Sequence, residues 1–159
     1  MKSSLKVLAG VGAVLVAAMA EFPVAARAQG TCAGDPSNAK LHVIVQGVRN
    51  GDGVMTATLY GDDPARWLKG AGEVKVWRQD AQTPTMSMCV WLPGPGSYGV
   101  VVYHDAKRAG HFTRGTFGPT QDYGFSRNPH LFLGPPSLNQ VKFPAGEGET
   151  TVYIKLKYP

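Results

Sequence analysis

The feature that most constrains the fold of this chain is a series of about seven short segments in which apolar and polar residues alternate, separated by turn residues. Alternation with a period of two places one face of a strand in a core and the other in solvent. In the carboxyl-terminal segment it predicts inward side chains at Val152, Ile154, Leu156 and Tyr158. No amphipathic helix of useful length is evident. The sequence therefore predicts an all-β protein, an antiparallel Greek-key (immunoglobulin-like) β-sandwich of about seven strands, with a small closed barrel as the alternative.

The turn residues between these segments set their connections. The predicted strands cover residues 41–48, 54–60, 73–80, 85–92, 98–103, 139–143 and 152–158. Asn50-Gly51 and Asp52-Gly53 are typical hairpin signals, so the first two strands are predicted to pair with each other. Residues 65–69 offer at most one helical turn, in which Trp67 is expected to close one end of the core. Residues 144–149 are predicted as a turn.

The first 28 residues have the organisation of a secretory signal peptide. Lys2 and Lys6 precede an apolar run at 7–20, and Ala26-Arg27-Ala28 forms a small-residue cleavage site. The alternative, a membrane anchor, is weaker because the run is shorter than the roughly 20 residues that span a bilayer. We expect cleavage after Ala28, a single domain at 29–159 without a transmembrane segment, and a periplasmic or secreted location.

The chain has two cysteines, Cys32 and Cys89, and export would bring them to an oxidising compartment. An even count favours pairing, and no C-x-x-C motif indicates a redox role. Cys89 alternates with Met86, Met88 and Val90 and should face away from them. A disulfide would therefore hold the amino-terminal segment across the outside of that sheet.

The segment at 98–103 reads as a central strand, because its β-branched run suits a largely buried position. One face should carry Tyr98, Val100 and Val102 and the other Gly99, Val101 and Tyr103. An irregular stretch of about twenty residues follows, and a loop of that length in a compact domain is usually functional or disordered. We therefore expect any binding site in the loop 104–126.

Positive charge is concentrated in this loop and directly after it. Loss of the signal peptide removes three cations and one anion, so the net charge falls from +5 to +3. Lys107, Arg108, Arg114 and Arg127 stand against Asp122 alone, which gives this stretch the whole surplus. Such a loop can attract an anionic ligand, or it can be a solvated loop without a partner. Export and the small surplus disfavour nucleic acid.

Aromatic residues interleave with these basic residues, and such side chains often provide binding energy. An anionic or carbohydrate component of the cell envelope is therefore the expected partner. For Tyr123 and Phe125, packing of the loop onto the sheet is the favoured interpretation. The aromatic residues are Tyr98, Tyr103, Phe112, Phe117, Tyr123 and Phe125. The candidate ligand-binding residues are His104, Asp105, Arg108, His111, Arg114 and Tyr123.

Several of these motifs occur together in one known family. The residues are Leu92-Pro93, Val102-Tyr103-His104-Asp105, Tyr123-Gly124-Phe125-Ser126, Asn128-Pro129, the two cysteines and the final Lys157-Tyr158-Pro159. In these the chain resembles the exported bacterial family catalogued as domain of unknown function 2141, over nearly the whole mature length. The resemblance implies an exported β-sandwich without an established activity.

The loop departs from the family pattern, in which His-Asp-x-Asn-x-Asn resembles the start of a calcium loop. Calcium requires several oxygen ligands that converge on the cation. The corresponding series is Asp105, Lys107, Ala109, His111 and Thr113. Because it keeps a single carboxylate and places a lysine at a ligand position, we predict no calcium site, and no cofactor or metal.

The alternative is a hydrolase or metal-dependent enzyme that uses His104 and Asp105. Imidazole and carboxylate can bind zinc or transfer protons. This hypothesis requires His111 or His130 to converge with them. The spacing matches no metal motif, and no G-x-S-x-G nucleophile turn occurs. We therefore favour a non-enzymatic binding or accessory module.

Overall fold

The computed structural model describes residues 31–159, and the predicted signal peptide lies outside them. The described residues form an all-β protein, as predicted, with ten strands and one short helix. Six strands are long and four have two or three residues. The elements are β1 (Ala39–Gln46), β2 (Val54–Tyr60), β3 (Lys75–Asp80), β4 (Thr85–Trp91), β5 (Gly96–Asp105), β6 (Arg114–Gly115), β7 (Gly118–Pro119), β8 (Tyr123–Phe125), α1 (Leu138–Val141), β9 (Phe143–Ala145) and β10 (Gly148–Lys155).

Two sheets share one hydrophobic core. The first has the strand order β10-β1-β4 and the second β3-β2-β5-β8, with β9 paired to the start of β5. The core contains Leu41 and Val43 from the first sheet and Leu59, Val100 and Val102 from the second, all fully buried. Most pairs are antiparallel, but β1 and β10 are parallel, which the prediction of a purely antiparallel protein missed.

The disulfide between Cys32 and Cys89 is present. As the alternation predicted, Met88 and Val90 are buried in the core and Cys89 lies on the opposite face of β4. The amino-terminal segment runs along the edge of β4 instead of across its outer face. Ala33 donates its N–H to the carbonyl oxygen of Cys89 at 3.0 Å and accepts the N–H of Trp91 at 2.9 Å.

The predicted hairpin between the first two strands is wrong. β1 pairs with β10 and β4, whereas β2 pairs with β3 and β5 in the other sheet. The Asn-Gly and Asp-Gly signals do mark a turn, but the chain there crosses from one sheet to the other. Gly47 and Gly53 both have positive φ in this crossing. The local signal specifies a reversal and leaves open which sheet the next strand joins.

The predicted strand at 139–143 is also wrong. Residues Leu138–Val141 form a single helical turn in which Leu138 and Val141 are buried, three residues apart. The side chain of Gln140 reaches back and accepts the Ser137 N–H at 2.8 Å, which closes a capping box. The extended strand follows as β9, which begins at Phe143, the last residue of the predicted strand, and continues into the region predicted as a turn.

Trp67 and Tyr158 occupy positions other than those predicted. Residues 64–68 form a non-helical turn, and Trp67 packs in a second cluster with Tyr60 and Phe125, outside the main core. Tyr158, predicted inward, is 48% exposed, and its hydroxyl donates to the Gly47 carbonyl at 2.8 Å.

The outer edge of β10 is joined to the second sheet. Beyond the strand, Lys157 exchanges two backbone hydrogen bonds with Tyr123 of β8, at 2.7 and 3.0 Å. The side chain of Asn128 pairs with the strand itself. Its amide donates to the Tyr153 carbonyl at 2.9 Å, and its oxygen accepts the Lys155 N–H at 2.7 Å.

Candidate functional site

The candidate site lies on the face of the second sheet that points away from the core. The two faces of β5 are divided as predicted: Tyr98, Val100 and Val102 lie in the core, and Val101 and Tyr103 lie on the other face. Residues 106–122 and 127–137 border this outer face, and a groove lies between these two segments and the sheet.

The groove has a volume of about 580 Å³ and is lined mainly by aromatic and aliphatic side chains. Phe112 packs edge-to-face on Tyr103 and on Tyr123, with ring centroids 5.4 and 6.1 Å apart. Tyr123 packs in the same way on Phe125 at 5.9 Å. The lining residues are Thr58, Tyr60, Leu68, Val101, Tyr103, Phe112, Arg114, Phe117, Gly118, Pro119, Tyr123, Phe125, Leu131, Leu133, Gly134 and Pro135.

Arg114 is the charged residue of this lining, which contains no carboxylate. Its guanidinium lies 5.5 Å from the centroid of the Phe112 ring. Within residues 31–159 it forms no ion pair. A cation held over an aromatic ring beside an apolar groove can receive an anionic group of a ligand.

Three tyrosines contribute unused hydroxyls to the same groove. Within the described part of the chain, the hydroxyls of Tyr60, Tyr103 and Tyr123 have no hydrogen-bond partner, whereas Tyr98 donates to the Gly94 carbonyl at 2.8 Å. Burial, followed by the charge of Glu73, raises the pKa of Tyr60. Its hydroxyl therefore stays protonated and able to donate.

The side chain of Asp105 holds the loop 104–126 in place through hydrogen bonds. Its buried carboxylate accepts the N–H groups of Ala109 and Gly110 at 2.9 and 2.7 Å and the side-chain amide of Gln121 at 3.2 Å. Burial by itself raises the pKa of this carboxyl, but these three hydrogen bonds and the nearby His111 hold the pKa below its ordinary value. The charged form is thus the one that the loop stabilises.

His104 also has a structural role, through hydrogen bonds of its ring and of its backbone. Its ring Nε2 lies 2.7 Å from the carbonyl oxygen of Asp52. Since a carbonyl oxygen only accepts, this nitrogen carries the proton. The backbone N–H of His104 donates to the Asp122 carbonyl at 2.8 Å. The ring therefore ties the end of β5 to the turn before β2, and the backbone N–H ties it to the end of the loop.

The structure separates the other predicted site residues. Arg108 pairs with Asp80 at 2.8 Å, and His111 and His130 are exposed outside the groove. His104 and Asp105 line a second, smaller pocket of about 220 Å³. Of the six candidate residues, Arg114 and Tyr123 lie in the groove. Residues 31–159 contain no group of three or more His, Cys, Asp or Glu side chains placed to hold a metal ion. His104 and Asp105 therefore form no metal-holding group with His111 or His130.

Sequence reasoning missed the second wall of the groove and misplaced one aromatic residue. Tyr60, Leu68, Leu131 and Leu133 come from β2 and from two irregular segments. The alternation of Thr58 and Tyr60 in β2 was the available signal, because it places both on the face opposite the core. Tyr98, grouped with the loop aromatics, is buried in the core instead.

No helix within residues 31–159 has the length and apolar character to cross a membrane. Comparison with curated proteins and with solved structures found no match. A family model described as an uncharacterised protein conserved in bacteria, DUF2141, matches residues 43–153. That stretch runs from β1 into β10 and contains every residue that lines the groove. This chain therefore belongs to the DUF2141 family of bacterial proteins.

Proposed function

We propose that this protein is an exported, non-enzymatic binding module of the bacterial cell envelope, and that the groove beside β5 holds its ligand. The observation that carries the proposal is an aromatic groove in which one unpaired arginine supplies the charge. The groove uses part of the loop 104–126. His104 and Asp105 are engaged in holding that loop, which disfavours the enzymatic alternative.

The lining indicates the chemical class of the ligand. A volume of about 580 Å³ suits a small molecule, a short oligosaccharide or one group of a larger partner. Aromatic faces favour a flat or apolar body, and the three free tyrosine hydroxyls offer hydrogen bonds at its edge. Arg114, without a neighbouring carboxylate, favours an anionic group. The expected ligand is therefore an anionic envelope component with an apolar or sugar-ring portion.

The proposed organisation is a signal peptide at 1–28 followed by one domain at 29–159, with the two main sheets packed as a Greek-key, immunoglobulin-like sandwich. The shared core supports this packing, and the disulfide suits an oxidising periplasmic or extracellular compartment. Intact-mass measurement on protein expressed with the full sequence should give the mass of a chain that begins at Gln29. An uncleaved amino terminus in the periplasmic fraction would contradict the proposal.

The groove can be tested with 8-anilinonaphthalene-1-sulfonate, an aromatic monoanion, by fluorescence titration. Arg114→Gln should weaken binding of this probe at least about tenfold, since a charge-assisted contact contributes about 1.5 to 3 kcal/mol. It should also flatten the salt dependence, and Arg114→Lys should restore both. The neutral dye Nile red should bind the wild type and Arg114→Gln equally. Melting temperatures should stay nearly unchanged because Arg114 is exposed.

The matched control is Lys155→Gln, which removes an exposed cation from β10 on the first sheet. It should leave the affinity for the sulfonate probe unchanged. If the control loses binding while Arg114→Gln retains it, the binding site is on the first sheet. An acidic oligosaccharide titrated against the wild type, Arg114→Gln and Lys155→Gln distinguishes a sugar ligand from a purely apolar one.

A further inference from the structure

Three large apolar side chains project into solvent at the mouth of the groove. Phe117, Phe132 and Leu133 are 103%, 80% and 93% exposed. Single exposed apolar residues are ordinary, but clustered ones mark interaction surfaces. Phe117 and Leu133 both line the groove, and Phe132 precedes Leu133 directly. All three therefore belong to the segments that border the groove, and we call these three residues the groove rim.

The backbone beneath the groove rim is unusual. Leu133 has φ of +51°, in the left-handed region that branched side chains rarely adopt. Such a conformation costs free energy, and packing of the Leu133 side chain does not offset that cost because the side chain is almost fully exposed. Residues held in this way often belong to functional loops. Phe117 lies in the tight turn between β6 and β7, which projects it in a similar way.

The two segments that border the groove carry mainly positive charge. Residues 106–137 contain four Lys or Arg side chains and two histidines against one acid, Asp122. That acid is buried and ion-paired with Arg49, so the two bordering segments present no exposed carboxylate. The four cations are Lys107, Arg108, Arg114 and Arg127, of which Arg108 is ion-paired with Asp80 of β3.

We propose that the groove rim docks on the anionic surface of a lipid bilayer. An interfacial contact requires exposed apolar side chains that can enter the acyl boundary and nearby positive charge that attracts lipid phosphates. The groove rim supplies the first, and Arg114 with the excess of cations in the bordering segments supplies the second. Separate and nearly fully exposed tips suit a deformable medium, whereas a protein partner would need a matching pocket for each tip. The contact would place the groove mouth against the bilayer, whatever ligand the groove holds.

Sedimentation of the full chain with vesicles tests this contact. Wild-type protein should bind phosphatidylcholine vesicles that contain phosphatidylglycerol and bind pure phosphatidylcholine vesicles much less. Phe132→Ser should lower the partition coefficient at least about tenfold, since one aromatic anchor is lost. Phe132 lies outside the groove lining, so binding of the sulfonate probe should be unchanged. That readout separates failure of the rim from failure of the proposed groove.

Matched variants give the controls. Tyr153→Ser removes an exposed aromatic residue from β10 and should bind vesicles as the wild type does. Lys107→Gln with Arg127→Gln should reduce the preference for phosphatidylglycerol. Wild-type protein that shows no preference, or Phe132→Ser that sediments like the wild type, would overturn the proposal. A dimer in solution that Phe132→Ser converts to monomer would also overturn it, because the rim would then bind a second copy of the chain.

Discussion

Replacing Gly53 with Ala is expected to lower the free energy of unfolding by roughly 3 kcal/mol or more, because it combines backbone strain with a clash in a fixed position. Gly53 has φ of +66°, and a Cβ there would overlap the carbonyl oxygen of Asp105 and stand 2.6 Å from Cα of Ala106. The opposing backbone has little freedom to move, since the Asp105 carboxylate holds the loop through Ala109 and Gly110.

Variants at two other glycines distinguish the effect of the steric clash on stability from the effect of backbone strain. Gly51→Ala should be nearly neutral, because its Cβ would meet its nearest neighbour at 3.5 Å with no positive φ. Gly110→Ala carries positive φ in open space and should cost about 1 kcal/mol. Urea unfolding of the three variants gives the comparison. A Gly53→Ala variant no less stable than Gly110→Ala would mean that the loop relaxes around the added methyl group.

Removal of the disulfide should have the second large effect. Cys32 and Cys89 are 57 residues apart. In the chain-entropy treatment, loss of a crosslink that closes a loop of that length lowers the free energy of unfolding by roughly 4 kcal/mol. The double variant Cys32→Ser, Cys89→Ser should therefore unfold at a much lower urea concentration. The backbone pairing of Ala33 with β4 would weaken with it, since the bridge fixes the neighbouring residue.

Reductant provides the control for this prediction. It should shift the unfolding midpoint of the wild type toward that of the double variant and leave the double variant unchanged. Thiol titration of folded, unreduced protein should find no reactive thiol. Two titratable thiols in that sample would show that the bridge does not form in the protein as produced.

The predictable parts of the fold are those decided within one strand. Alternation in β4 located its buried face and the outward position of Cys89, and alternation in β5 located both of its faces. The pairing partners of a strand could not be predicted in this way, because they depend on residues far away in sequence. Thus the turn before β2 was recognised, while the sheet that β2 joins was not. The parallel pairing of β1 with β10 joins the two ends of the domain, and no local pattern specifies it.

The candidate site shows the same limit at the level of single residues. Arg108 and Arg114 lie in one loop and look alike in the sequence. Arg108 pairs with Asp80 from β3, whereas Arg114 lies over Phe112 beside the groove. The pairing partner of the first is set by the tertiary fold. The opposite wall, with Tyr60 and Leu131, is likewise assembled from distant segments.

The side chain of Asn128 has a consequence for how this protein behaves at high concentration. A strand at the border of a sheet offers its unpaired N–H and carbonyl groups to strands of other molecules, which is a route to aggregation. By pairing with the main chain at Tyr153 and Lys155, Asn128 takes the place of a foreign strand over the carboxyl-terminal half of β10. One amide side chain thereby protects the native domain against intermolecular strand addition there without adding a further strand.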